Sequence, residues 1–429
     1  NNVKAYQNSQ FGVYIDSCLA GTGDICSNTI TSPVTVTNSS MPNNWAGNLV
    51  VYANGAVTLV DINASSSTIN TGIVVENHIA RSASAVTITR AQATGNDGIN
   101  IQVLSRGAVT LDTIQASSSD NNIGLWVDNS YGTGAVNLFS KSGMNDLSGN
   151  ELYSLMIISK GAVTIGWVDA GSSGNGASIS TNGAVTITGK STDERSNFGS
   201  NEGNGLEIST AGNITLTNVA ADYNSGSGII LDNPGKPGAV KITNAEANYN
   251  TGDGFLVITQ GSVTMINVNA EQNYGYGANI DNRSTKLQGV TVTGGTFKNN
   301  QYTGLHILSN GTVTATRIVA SGNDFANVYD ADYQALIAYG DYYADFMYGT
   351  NYWSFTNDKT QGTKLYLFCD STCYLTIYDP VGSMVASETA VLNPGTGNYE
   401  YVYSGILTQD GKYRVQLSGS YDNYEIALE

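Results

Sequence analysis

The chain has 429 residues, only 12% of them charged, with 49 glycines against 6 prolines and a formal net charge of −17 (pI near 4.3). Its scarcity of Lys and Arg excludes a nucleic-acid binder, whose affinity comes from clustered cations. Runs of good helix formers are missing, which excludes a helical protein and fits short strands joined by tight turns. No apolar run approaches the ~18 residues of a membrane span.

The opening stretch NVKAYQNSQFGVYID (2–16) aligns without a gap on NVNAEQNYGYGANID (267–281), so the chain begins part-way through a unit that it later repeats. Nothing resembling a leader precedes Asn1, which fits a mature or truncated form. Cys18 and Cys26 follow in SCLAGTGDICS, and a second close pair, Cys369 and Cys373, lies in FCDSTCY. Such spacing makes two local disulfides the economical reading and points to an extracellular or cell-surface address. A zinc site is the alternative, opposed by the distance between the pairs and the lack of an accompanying His. The two histidines, His78 and His306, fall inside the repeat and read as turn or surface residues.

From residue 33 to 315 one phrase recurs twelve times, as GAVTL at 55–59 and 107–111, GAVTI at 161–165 and 183–187, and weaker copies such as GNITL at 212–216. Two further alternating segments lie between copies, so each unit supplies three short strands whose side chains point in and out by turns. Strands this short bury an inner face only by stacking unit on unit. The architecture expected is a parallel β-helix of about twelve coils over residues 1–330, right-handed because parallel crossovers prefer that hand.

N-x-x-x-G recurs as NSQFG (8–12), NEGNG (201–205), NSGSG (224–228), NTGDG (250–254), NYGYG (273–277) and NQYTG (300–304). Stacked, these form an Asn ladder and a Gly column, since Asn tolerates left-handed backbone and Gly supplies positive φ. Short turns before Gly55, Gly107, Gly161, Gly212, Gly261 and Gly311 alternate with longer ones that follow an acid. This predicts a double-coil super-repeat with a spaced column of Asp16, Glu76, Asp128, Asp232 and Asp281. Two coils, roughly 10 Å, separate neighbours, so the acids read as solvated turn residues, with a Ca²⁺ array as the alternative.

These features resemble the pectate-lyase-like family of right-handed β-helices, and particularly the Asn/Gly-rich β-helix repeat proteins of bacterial surfaces. The resemblance implies the fold; the functions hosted on it range from polysaccharide lyases and hydrolases to tailspikes, adhesins and structural rods.

The repeat fails after residue 330, and residues 331–350 form an aromatic connector suited to capping the open end of the helix. Within it Tyr342 and Tyr343 are candidate glycan contacts. Longer alternating segments from YWSFTN to YEIALE then predict a small antiparallel β-sandwich over 351–429. The segments YWSFTN, LTIYDPVGSMVAS, GKYRVQLSG and YEIALE resemble the bacterial pre-peptidase C-terminal domain, which implies an accessory role; Cys369 and Cys373 are expected to bracket the DST turn of one hairpin, a local staple absent from that family's pattern.

Lyases and hydrolases on this fold need clustered carboxylates or cations. The sequence shows no carboxylate cluster on adjacent coils, and Asp193, Glu194 and Arg195 in the longest turn, GKSTDERSNFGSNEG (189–203), are the only catalytic candidates. The reading is an extracellular structural or adhesive surface protein that self-associates head to tail, rather than an enzyme. A carbohydrate-active enzyme, or a glycan-binding protein that contacts polysaccharide at a cell surface, is the alternative. No cofactor is implied beyond the Ca²⁺ alternative.

Overall fold

In the computed structural model the described chain is all-β: a right-handed parallel β-solenoid of about 11 turns precedes small antiparallel sheets. The structure describes all residues except 19–25, 27–30, 120–121, 234, 236, 284–287, 325–327, 330–334, 337–340, 348–349, 358–362, 408, 410, 420–421 and 429. Two compact units divide it, Asn1–Ala245 and Glu246–Glu429. The recurring V-T phrase forms the strands along one of the two solenoid sheets, from Val34 to Val313, and these twelve strands bound about 11 turns, one fewer than a count of phrases predicts.

In the first unit one sheet stacks Phe11–Asp16, Gly47–Tyr52, Ile73–Glu76 and their successors in parallel up to Ile229–Asn233, while a second stacks the V-T strands from Val34–Ser40 onward. Register is residue on equivalent residue: Val57 pairs with Val86, Thr58 with Thr87 and Leu59 with Ile88. The Val and Leu of each phrase are buried and the Thr faces out, as the alternation requires. The second unit repeats the arrangement from Phe255–Thr259 to Leu305–Leu308 and from Val263–Glu271 to Val313–Ser321.

The Asn ladder is present and explains part of the double-coil period. In the first unit the ladder positions are Asn44, Ser67, Asn96, Ser119, Asn150, Ser173, Asn201 and Asn224, all buried. At Ser67 and Ser119, where serine is too short to reach the next coil, the Asn four residues beyond the preceding ladder Asn spans two coils instead. Asn48 Nδ2 donates to Asn96 Oδ1 (3.1 Å) and Asn100 Nδ2 to Asn150 Oδ1 (3.1 Å), while the Ser67 and Ser119 backbone amides donate to the same two oxygens. From Asn201 every coil carries Asn, and the ladder becomes single-coil: Asn201 Nδ2 donates to Asn224, and in the second unit Asn250 donates to Asn273, Asn273 to Asn300 and Asn300 to Asn323.

A second internal column sits at the opposite turn. Long turns carry Asn77, Asn129 and Asn233, whose Nδ2 groups donate to turn carbonyls, and Asn282 does the same in the second unit. Short turns carry Ser105, Ser159, Thr181 or Thr210, whose hydroxyl accepts from the glycine amide two residues on. Three short turns in a row, at Ser159, Thr181 and Thr210, break the predicted strict alternation.

Three residues before each ladder position lies a buried column that is mostly alanine, with Met41, Leu147 and Phe198 interspersed in the first unit and Phe297 in the second. The large side chains fill what the neighbouring alanines leave, as close packing demands.

The C-terminal strands form two five-stranded sheets. Trp353 Nε1 of one donates to Tyr424 Oη of the other (2.9 Å), and Leu365, Leu367, Leu375, Ile377 and Leu417 are buried with them. Both predicted disulfides are formed, Cys18–Cys26 and Cys369–Cys373, which removes the zinc reading. The second does not bracket a hairpin: Thr363–Cys369 pairs with Tyr399–Gly405 and Asp422–Leu428, whereas Cys373–Tyr378 pairs with Met384–Thr389 and Gly411–Gly419. The bridge therefore staples one sheet to the other. Asp341–Met347, inside the span read as a connector, pairs with Asp422–Leu428 and places Tyr342 opposite Ala427 and Tyr343 opposite Ile426; their side chains lie outside the described residues.

Candidate functional site

Midway along the second sheet most coils turn through one left-handed residue. On the first four coils these are Asn38 (φ 49°), Asp61 (56°), Arg90 (50°) and Thr113 (55°). Such a conformation is unfavourable for residues other than Gly, Asn and Asp, and it persists here because the coils above and below fix the backbone at the same corner. The V-T strand and the strand after it then face each other across a concave outer edge.

A groove of about 480 Å³ runs along that edge, lined by the four corner residues and by Ser40, Asn63, Gln92 and Gln115. It crosses four coils, roughly 14 Å at the usual strand spacing. Loop 141–143 closes one end: the Lys141 amide donates to Asp112 Oδ1 (2.9 Å) and the Ser142 amide to Thr113 Oγ1 (3.3 Å). The side-chain amides of Asn38, Gln92 and Gln115 are exposed, and none makes a hydrogen bond among the described residues.

Two groups in the groove carry charge, and they are locked together. Arg90 Nε donates to Asp61 Oδ1 (2.6 Å) and Nη2 to Oδ2 (2.9 Å), the planar bidentate geometry that holds both groups ionised. The guanidinium holds the Asp61 carboxyl below the usual range.

Beyond Gln115 the outward column continues into carboxylates. Gln115 pairs with Asp146 and Asp146 with Asp169, whose Oδ1 accepts from Asn197 Nδ2 (2.8 Å). Two aspartates thus stand on adjacent coils, their main chains about 4.8 Å apart by strand spacing. This corrects the reading that no carboxylates meet on neighbouring coils. Residues 140–144 stand where the preceding coil has Thr113 alone, and this longer corner hides the register that spacing would otherwise reveal.

The predicted candidates Asp193, Glu194 and Arg195 sit in the other corner insertion. Lys190 pairs with Glu194 (2.7 Å), the Glu194 amide donates to Ser191 Oγ, and the Arg195 carbonyl accepts from Trp167 Nε1 (3.1 Å). Lys190 lies over the Trp167 ring, 4.8 Å from its centroid, so the turn is held by its own contacts. Among the described residues no group of three or more His, Cys, Asp or Glu converges as a metal site. The spaced acids alternate along the stack with Tyr52 and Leu104. Asp16 and Asp128 each accept a backbone amide of their own turn, and Arg283 holds Asp281 ionised.

A separate polar cluster lies in the second unit. His306, on strand Leu305–Leu308, has Nδ1 2.9 Å from Asn279 Oδ1, and Asn279 in turn hydrogen-bonds Asp253. With the Asn oxygen accepting, Nδ1 carries the hydrogen. Tyr276 stacks on the imidazole, with centroids 4.9 Å apart. Burial pushes the Asp253 carboxyl up and His306 down. His306 is therefore a strand residue in a hydrogen-bonded chain, not a turn residue.

Residues 144–325 match the family model of a right-handed beta helix region. The chain is a β-helix repeat protein. No curated protein matches it. Among solved structures it is similar to the enzymatically active domain of tailspike protein 4 of bacteriophage CBA120, at 9% identity and a TM-score of 0.32, over 89% of this chain and 63% of that one. It is also similar to tailspike protein gp49 of Acinetobacter baumannii bacteriophage Fri1, a capsular polysaccharide depolymerase, at 12% identity and a TM-score of 0.27, over 91% of this chain and 79% of that one. The chain thus spans less than two thirds of the first of these.

Proposed function

We propose that this protein engages extracellular polysaccharide and that the corner groove holds a stretch of neutral glycan. The observation that carries the reading is an extended groove whose exposed amides, Asn38, Gln92 and Gln115, are uncommitted. Amides present donors and acceptors to sugar hydroxyls, and a groove across several coils suits a chain rather than a compact ligand. The two disulfides agree with an oxidising, extracellular setting. An adhesive surface role is the same reading seen from the cell, with the groove as the point of attachment.

The locked charges select against polyuronates. Arg90 is the groove's one cation and Asp61 occupies its fork, while a net charge of −17 repels polyanions. Wild type is expected to bind neutral polysaccharides on a glycan array and to ignore polyuronates. Asp61→Asn, which frees the guanidinium, is expected to gain binding to polyuronates by about tenfold at low salt. Retention of polyuronates by wild type, with no gain in the variant, would reject the groove as the site.

A second reading, hydrolysis of the held glycan, is favoured by the Asp146–Asp169 pair on adjacent coils, since glycosidases use two carboxyl groups on either side of the scissile bond. Its mark is the release of new reducing ends from a bound neutral polymer, lost in Asp169→Asn while binding persists. Release that survives the substitution would remove the pair from the chemistry.

A further inference from the structure

A second concave site lies at the other outer edge of the first coils. Its volume is about 440 Å³, and its lining is Gln7, Asn8, Ser9, Asn43, Trp45 and Thr68. Trp45 is 52% exposed, although its backbone is fixed on both sides: its amide donates to the Asn8 carbonyl (2.9 Å) and its carbonyl accepts from Ile69 (3.2 Å). A rigid main chain thus presents an indole face that the fold does not use. Gln7 and Asn43 adopt left-handed backbone at φ 58° and 60° and are exposed, as are Ser9 and Thr68. None of these four side chains makes a hydrogen bond among the described residues.

We infer that Trp45 is the platform of a separate saccharide subsite, on which the apolar face of one pyranose ring stacks while the amides of Gln7 and Asn43 and the hydroxyls of Ser9 and Thr68 take its ring hydroxyls. An aromatic ring offers a flat apolar surface suited to the C–H face of a sugar, and flanking amides satisfy the polar rim. No charged side chain lines the site, so it takes a neutral sugar. The glycan class rests on the reading of the corner groove; the site itself does not.

The subsite is independent of the ladder that holds the coil. The side chain of Asn44, not Trp45, carries the internal hydrogen bonds, to the carbonyls of Ala5 and Met41 and to Asn48. Trp45→Ala is therefore expected to leave the melting temperature unchanged.

The test titrates the full chain with cello-, manno- and galacto-oligosaccharides, following tryptophan emission and, in parallel, heat of binding. A sugar that excludes water from the half-exposed indole shifts its emission to the blue. Trp45→Ala is expected to abolish that shift and to weaken Kd by about threefold to tenfold, whereas Gln92→Ala with Gln115→Ala in the groove leaves the shift in place. Heat of binding with no shift at saturation, or a shift of undiminished size in Trp45→Ala, overturns the subsite and leaves the groove reading standing. Binding that survives the groove variant and is lost in Trp45→Ala supports the subsite and overturns the groove. Absence of binding to every oligosaccharide overturns both.

Discussion

Replacing Asn150 by Ala is expected to destabilise the first unit by about 3–6 kcal/mol, through two buried donors left unpaired and the loss of packing around the missing amide. Asn150 is 1% exposed. Its Oδ1 accepts from the Ser119 amide (2.8 Å) and from Asn100 Nδ2 (3.1 Å), and its Nδ2 donates to the carbonyls of Ala116 and Leu147. One side chain thus ties together the coil below, the coil two below and its own turn. Asn150→Asp is expected to do no better, because it keeps the acceptor but turns an oxygen toward the two carbonyls. Stacked coils interact mainly with their neighbours, so the damage is local. Hydrogen exchange should accelerate across residues 96–150 before it does elsewhere, and urea unfolding should broaden or divide into two steps. A single transition with an unchanged midpoint would show that the ladder contributes register but little stability.

Much of this arrangement is legible in the sequence because its chemistry repeats. The V-T phrase fixes strand, face and register together, and N-x-x-x-G marks the ladder and the glycine that must stand clear of it. At Gly205, the glycine of NEGNG, a Cβ would lie 2.5 Å from the Phe198 carbonyl oxygen and 2.8 Å from Asn224 Nδ2. The groove is not legible for the opposite reason. Its corner residues, Asn38, Asp61, Arg90 and Thr113, share a backbone conformation and no chemistry, and nothing in Arg or Thr announces a left-handed turn. Trp45 escapes because its coil carries Asn48 where the phrase has Gly, and the 140–144 insertion conceals that Asp146 meets Asp169. Cys369 and Cys373 illustrate a third limit: their spacing identifies the bridge but not that the chain changes sheets between them.

Phe198→Ala is expected to cost about 3–5 kcal/mol, the usual range for emptying a fully buried aromatic position, and the column around it predicts how the loss can be recovered. Phe198 is 0% exposed and stacks over the coil carrying Ala221, one residue beyond the pair Asn197 and Ala220. Large and small residues alternate there, Leu147, Ala170, Phe198 and Ala221, so the interior holds one bulky side chain for every two coils. Ala221→Phe alone would place two phenyl rings in the volume of one and cost about 1–3 kcal/mol. The double variant moves the ring by one coil at constant total volume, and should be more stable than the sum of the single losses by about 2 kcal/mol. Thermal melts of the four proteins measure that coupling. Simple additivity would mean that each coil packs against its own walls alone, and that the alternation of alanine with larger residues has no part in how successive coils are matched.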